Sequence, residues 1–247
     1  MGQGDQVGTD QGRVMKPLHV ISGGAAQGLV AALSERFSSA HGLAPHGHFG
    51  AVGLMKDKLL AGAPCDVVIL TAALVRELEQ QGHVKPGTAR PLGVVRTGVA
   101  VKAGDAKPDV GTPQALASLL RGASGIYFPD PVKATAGIHF MKVLKALGLD
   151  QELTQLLRPF PNGATAMREL AAAAGSRLVG CTQVTEILYT PGVQLVGALP
   201  SAFELATVYT AAVCSRADHP AAAQALVELL SGDASAPQRL AGGFEVR

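Results

Sequence analysis

The sequence predicts an α/β protein of two lobes, each built on a mixed, mostly parallel sheet, and three observations carry that prediction. From Lys16 onward, short β-favouring apolar runs alternate with segments whose apolar residues recur at helical spacing. Residues 62–71, GAPCDVVILT, join a tight turn to an almost uninterrupted apolar run, the pattern of a strand covered on both faces. The 247 residues suffice for two cores, and the elements group into one unit that is left near residue 95 and resumed near residue 200.

Residues 18–21 read as the first strand, and a small-residue turn at 22–26 leads to a helix with Leu29, Leu33 and Phe37 on one face. A short strand at 47–49 is followed by a helix running through Leu60. The strand at 67–70 precedes a helix that ends at Gly82, where glycine serves as a C-terminal cap. Residues 94–102 form a strand of different character. Thr112 and Pro113 then start a helix as cap and first-turn residue, with Leu116, Leu119 and Leu120 inward. A strand at 125–128, a turn at 130–137 and a helix burying Phe140, Val143, Leu144 and Leu147 come next. A further helix opens at 161–164, strands follow at 178–182, 193–196 and 207–214, and Pro220 opens a helix carrying Leu226, Leu229 and Leu230.

This order puts one lobe at residues 16–95 plus 200–247 and the other at 96–199, joined by two crossover strands, with a cleft between them. Clefts between domains are favoured ligand sites. Residues 1–15 are polar and Gly-rich and are expected to be a disordered tail. They hold no apolar h-region, so the location expected is periplasmic where a signal peptide has been removed and cytoplasmic otherwise.

Hydrophobic residues make up 47% of the chain and aromatics 4%, with no Trp. That composition suits close helix-on-sheet packing and offers little for stacking on bases. A formal net charge of +2 is too small to imply a nucleic-acid partner. Cys65, Cys181 and Cys214 are far apart and odd in number, which argues against a disulfide framework or a zinc site and for buried fillers. His46 and His48 point to one face of a strand, but no third ligand is evident and no metal is expected. Walker, Rossmann, G-x-S-x-G and H-E-x-x-H motifs are absent, and no cofactor is expected.

Four phrases, GAPCDVVI at 62–69, DPVKATAG at 130–137, LVGCTQ at 178–183 and YTAAV at 209–213, occur in an order and spacing that resemble the molybdate-binding branch of the type II periplasmic solute-binding proteins. The resemblance spans about 230 residues, from Leu18 almost to the end. It implies the two-lobed fold of that family, hinge closure on a small solute, ABC-type transporter membrane subunits as partners, and a monomer.

The residues themselves agree with an anionic ligand. Turns at 23–25, 50–53, 135–137 and 163–165 are built of small residues, and each opens a helix whose first N–H groups are unpaired and whose dipole end is positive. Glycine and alanine also simply permit tight turns. The candidate ligand-binding residues are Ser22, Gly23, Gly24, Ala25, Ala51, Val52, Gly53, Thr135, Ala136, Gly137, Ala164, Thr165 and Gln183. Compared with the molybdate binders, hydroxyl-bearing positions in the first two turns correspond to Ala25 and to Ala51, Val52 and Gly53. A supporting Tyr corresponds to Gln183. The ligand expected is therefore a molybdate-like oxyanion or, given the lost hydroxyls, an organic carboxylate.

Two functions follow from the resemblance. One is a binding protein that delivers a small anion to a transporter. The other is an isomerase on the same scaffold, because aconitate isomerase resembles this branch and moves an allylic proton between trans and cis tricarboxylates. Such chemistry needs a general base in the cleft, for which His48, Lys133 and Glu186 are the candidates. Arg96, at the first crossing, is a further candidate to touch ligand.

Overall fold

The four residues Val67, Val68, Ile69 and Leu70 are fully buried, which places this strand at the centre of a sheet covered on both faces. Burying each such side chain contributes about 1.5–3 kcal/mol. The structure, a computed structural model, describes residues 16–246; the tail of residues 1–15 lies outside the described residues.

The first lobe begins with β1 (Lys16–Gly23), α1 (Gln27–His41), β2 (Leu43–Gly50), α2 (Val52–Leu60), β3 (Val67–Thr71) and α3 (Ala72–Gln80). The long strand β4 (Arg90–Lys102) leads out of it. The second lobe holds α4 (Pro113–Gly122), β5 (Gly125–Pro129), α5 (Thr135–Ala146), β6 (Leu157–Phe160), α6 (Gly163–Ala172), β7 (Leu178–Gln183), α7 (Val184–Tyr189) and β8 (Val193–Ala198). The chain then returns to the first lobe with β9 (Ala206–Val213), α8 (Pro220–Ser231) and α9 (Ala236–Ala241).

The strands run in the order β2-β1-β3-β9-β4-β7-β5-β6, with β8 also on β4. Within the first lobe β1, β2 and β3 are parallel, and β9 lies antiparallel between β3 and β4. Within the second, β5, β6 and β7 are parallel and β4 is antiparallel to β7 and β8. Thus β4 belongs to both sheets: residues up to Arg96 pair with β9, and residues from Thr97 pair with β7. The return crossing is made in two pieces, β8 and β9, interrupted by a short 3-10 turn at Ser201–Phe203.

Buried apolar residues divide accordingly. One cluster joins residues between Leu18 and Val95 to residues between Tyr209 and Phe244, while two others lie wholly between Val99 and Leu199. At the crossing, the Arg96 guanidinium pairs with Glu204 on the return segment and with Glu245 near the carboxyl end, the latter at 2.5 Å. Arg96 is therefore occupied in tying the crossing segments together, and these carboxylates hold it above its ordinary pKa.

Local chemistry explains several element boundaries. Thr71, Thr112 and Asn162 cap α3, α4 and α6 by accepting backbone N–H bonds from Leu74, Ala115 and Thr165, each worth about 1 kcal/mol. Asp66 is buried, and its two oxygens accept the His19 and His219 N–H groups at 2.8 Å each. One carboxylate thereby holds β1, β3 and the start of α8 together. Gly93 takes φ 145° at a bulge in β4, and a Cβ there would press on the Glu245 carbonyl.

Three elements were not expected from the sequence. β6 is an edge strand of four residues, LRPF, whose Pro159 argues against a strand anywhere but at an edge. Helix α7 has only six residues and opens on Val184 and Thr185, so it shows no helical period. Helix α9 is equally short.

Candidate functional site

The four small-residue turns converge. β1 and β2 deliver Gly24, Gly50, Ala51 and Val52 from the first lobe, while β5, β6 and β7 deliver Pro129, Thr135, Ala136, Asn162, Gly163 and Gln183 from the second. Tyr209 on β9 and Glu186 on α7 complete the lining. The lobes are closed on one another, and the cavity left between them measures about 20 Å³, room for about one water molecule.

Contacts at the rim hold this closure. Gly53 N–H donates to the Lys133 carbonyl at 3.1 Å, and Lys133 Nζ pairs with Asp57 Oδ2 at 2.7 Å. Both bonds join α2 of the first lobe to the turn before α5 of the second.

The centre of the cleft is a carboxyl group. Glu186 is 5% exposed, and its Oε2 accepts from Thr182 Oγ1 at 2.5 Å. Backbone N–H groups of Gln183, Ala164 and Gly163 also serve it, so the carboxyl rests on the amino-terminal end of α6. Gly24 and Gly163 flank it. A methyl group added at Gly24 would overlap Oε1, and one at Gly163 would overlap Oε2 and Thr182 Oγ1. Burial pushes the Glu186 pKa above its ordinary carboxylate value, against the opposing pull of its hydrogen-bond donors.

Beside it lies a second buried group. The Tyr209 hydroxyl accepts from Gln183 Nε2 at 3.5 Å and is hydrogen-bonded by Thr135. Burial, with the nearby Glu186 charge, raises its pKa, so the phenol stays protonated. Gln183 Oε1 is buried without a hydrogen-bond partner among the described residues. The arrangement therefore offers an acid–base group, a phenol, an amide and the helix ends of α2 and α5 within one closed space.

Among the residues singled out from sequence, Gly24, Ala51, Val52, Thr135, Ala136, Gln183 and Glu186 line this cavity. Ala164 serves it indirectly, its N–H being held by Glu186. Ser22 is buried with Oγ donating to the Gly23 carbonyl, and Gly23 lies beneath Val52 and Tyr209. Ala25 lines a separate cavity beside Gly28 and Tyr189. Gly137 packs against the carbonyls of Pro129 and Asp130, Gly53 is engaged at the rim, and Thr165 Oγ1 accepts from Arg168. Lys133 is spent on Asp57, and His48 is exposed on the edge strand β2 next to His46. Tyr209, Asn162 and Pro129 were missed; Thr182 and Glu186, four residues apart, were the available signal for a supported carboxyl.

Fold and site together define a two-lobed protein with a small closed cleft between its lobes. The chain belongs to the bacterial extracellular solute-binding protein family, whose profile matches residues 18–245. Aconitate isomerase from Pseudomonas sp is 25% identical over 220 residues, covering 87% of this chain and 82% of the relative. The periplasmic molybdate-binding protein of Azotobacter vinelandii superposes with a TM-score of 0.77 at 21% identity, covering 93% of this chain and 99% of that one. The sulfate-binding protein SubI from Mycobacterium tuberculosis H37Rv gives 0.70 at 17% identity, covering 93% and 86%. Among the described residues no helix is long and apolar enough to cross a membrane.

Proposed function

We propose that this chain is an isomerase on the solute-binding scaffold, taking a small polycarboxylate between its lobes and moving a proton from one carbon to another. The observation that carries this reading is the buried Glu186 carboxyl at the centre of the cleft. Burial raises its pKa, the direction that makes a carboxyl a better proton acceptor. The similarity to aconitate isomerase points to the same class of substrate.

In this mechanism the lobes part to admit the substrate, since the closed cavity is about 20 Å³. Glu186 takes a proton from an allylic carbon, and the electron pair shifts the double bond while charge spreads onto the adjoining carboxylate. The helix ends of α2 and α5 and the protonated Tyr209 receive that charge. Glu186 then returns the proton to the far allylic carbon.

A second reading, delivery of a bound anion to an ABC-type transporter, is favoured by family membership and by the clamp of Gly53, Asp57 and Lys133 across the rim. A monomer accompanies either reading, and delivery to a transporter requires an extracytoplasmic location.

The deciding experiment is a thermal-shift panel of cis- and trans-aconitate, citrate, molybdate, tungstate and sulfate, followed by proton NMR of each hit in D2O. A ligand at a hundred times its dissociation constant adds about 2.7 kcal/mol. Stabilisation by aconitate with deuterium uptake and interconversion is expected. Stabilisation by molybdate, tungstate or sulfate without conversion of any carboxylate would replace the isomerase reading with the carrier.

A further inference from the structure

We propose that Cys65 and Cys214 form a reversible dithiol–disulfide site at the end of the first lobe opposite the cleft. Cys65 precedes β3 and Cys214 follows β9, and the antiparallel pairing of these strands brings the sulfurs to 3.2 Å. The cleft residues lie beyond the far ends of β1 and β2, which run parallel to β3, so this site is separate from the one described above. Both thiols line a cavity of about 410 Å³ together with Pro64, His83, Arg216 and Asp218. Cys181, by contrast, is fully buried in the second lobe.

The hydrogen-bond order assigns the roles. Cys214 S–H donates to Cys65 Sγ, and Cys65 in turn donates to the Val67 carbonyl at 3.2 Å. Cys214 is held in the thiol form by that bond and by burial, which leaves Cys65 as the attacking sulfur. Cys65 is also the more exposed, at 8% against 3%. Cys65 thiolate therefore attacks a low-molecular-weight disulfide, forming a mixed disulfide and releasing one thiolate. Cys214, its proton passed to water, then attacks Cys65 Sγ and releases the second. Two protein thiols and one small disulfide become one protein disulfide and two small thiols.

The bond would link positions 149 residues apart, enclosing the whole second lobe in a covalent loop. Such a loop restricts the unfolded chain strongly. It would leave the cleft free to open, because both ends lie in the first lobe.

The test is incubation of the native protein with oxidised glutathione, followed by alkylation, intact mass and peptide mapping. The expected result is loss of two hydrogens, a Cys65–Cys214 linked peptide, a free Cys181, and a melting temperature raised by roughly 5–15 °C that dithiothreitol reverses. C181S should behave as the wild type, while C65S and C214S should gain no linkage. Two alkylatable thiols remaining at these positions, or stable glutathione adducts that never resolve to the linked peptide, would overturn the proposal, and both are read on the unaltered chain.

Discussion

Replacing Glu186 with Gln separates proton transfer from binding, because the two respond in opposite directions. Glutamine keeps the volume wedged between Gly24 and Gly163, and its amide oxygen can still accept from the end of α6, but it cannot take a proton from carbon. Loss of a positioned base costs about 10²–10⁴ in rate, or roughly 2.7–5.5 kcal/mol of barrier. Binding moves the other way. A like-charge pair at about 4 Å and an effective dielectric of 20 is worth about 4 kcal/mol, and the raised Glu186 pKa means that only part of this is felt in the wild type. Polycarboxylate affinity should therefore hold or tighten by up to roughly tenfold. Turnover of aconitate by NMR and affinity by titration calorimetry give the two quantities. A variant whose turnover stays within threefold of wild type would refute the assignment of Glu186 as the base. Parallel loss of turnover, affinity and melting temperature would show a structural role instead.

The same carboxyl predicts a pH dependence of stability. Its folded pKa is raised above the ordinary 4.5, so its contribution is complete below that value and is lost as pH rises through the folded pKa. The wild-type melting temperature should fall relative to Glu186→Gln as pH increases from about 4.5, and a flat difference in calorimetry would contradict this. Gly163→Ala places a methyl group on Glu186 and Thr182 and should destabilise by about 1–3 kcal/mol in urea unfolding. Asp57→Ala breaks an exposed ion pair across the rim; ligand affinity should weaken by no more than about fivefold, an effect of 0.2–1 kcal/mol, and the difference should vanish in 1 M salt. A larger or salt-independent loss would mean that Lys133 contacts the ligand itself.

The parallel strands and their helices were legible because they carry strong local signals. The run at β3 is apolar throughout, and Thr112 with Pro113 announces α4. Turns at the ends of β1, β2, β5 and β6 were legible as small-residue clusters, and every one contributes to the cleft. What could not be read was which N–H groups are free for a guest. The donors at Gly163 and Ala164 are taken by Glu186, whose own helix is too short to show a period. Tyr209 belongs to a strand whose residues alternate between exposed and buried only at its start, so nothing local separates a cleft-facing phenol from a core residue. Asp66 teaches the reverse. It stands in the most recognisable phrase of the chain, yet its oxygens are both used on backbone N–H groups of β1 and α8, so that phrase reports architecture and not ligand.

The position of β9 between β3 and β4 has a consequence during synthesis. Both edges it fills, Val67–Thr71 and the first half of β4, are complete more than a hundred residues before β9 emerges. Until then they present unpaired backbone groups and apolar side chains, the features that invite association between nascent chains. The second lobe, contiguous between the crossings, has all its strands available earlier. Phe244, fully buried in the first lobe, joins later still. Truncation near the carboxyl end should therefore damage the older half of the molecule, leaving the inserted lobe as the part that can still fold.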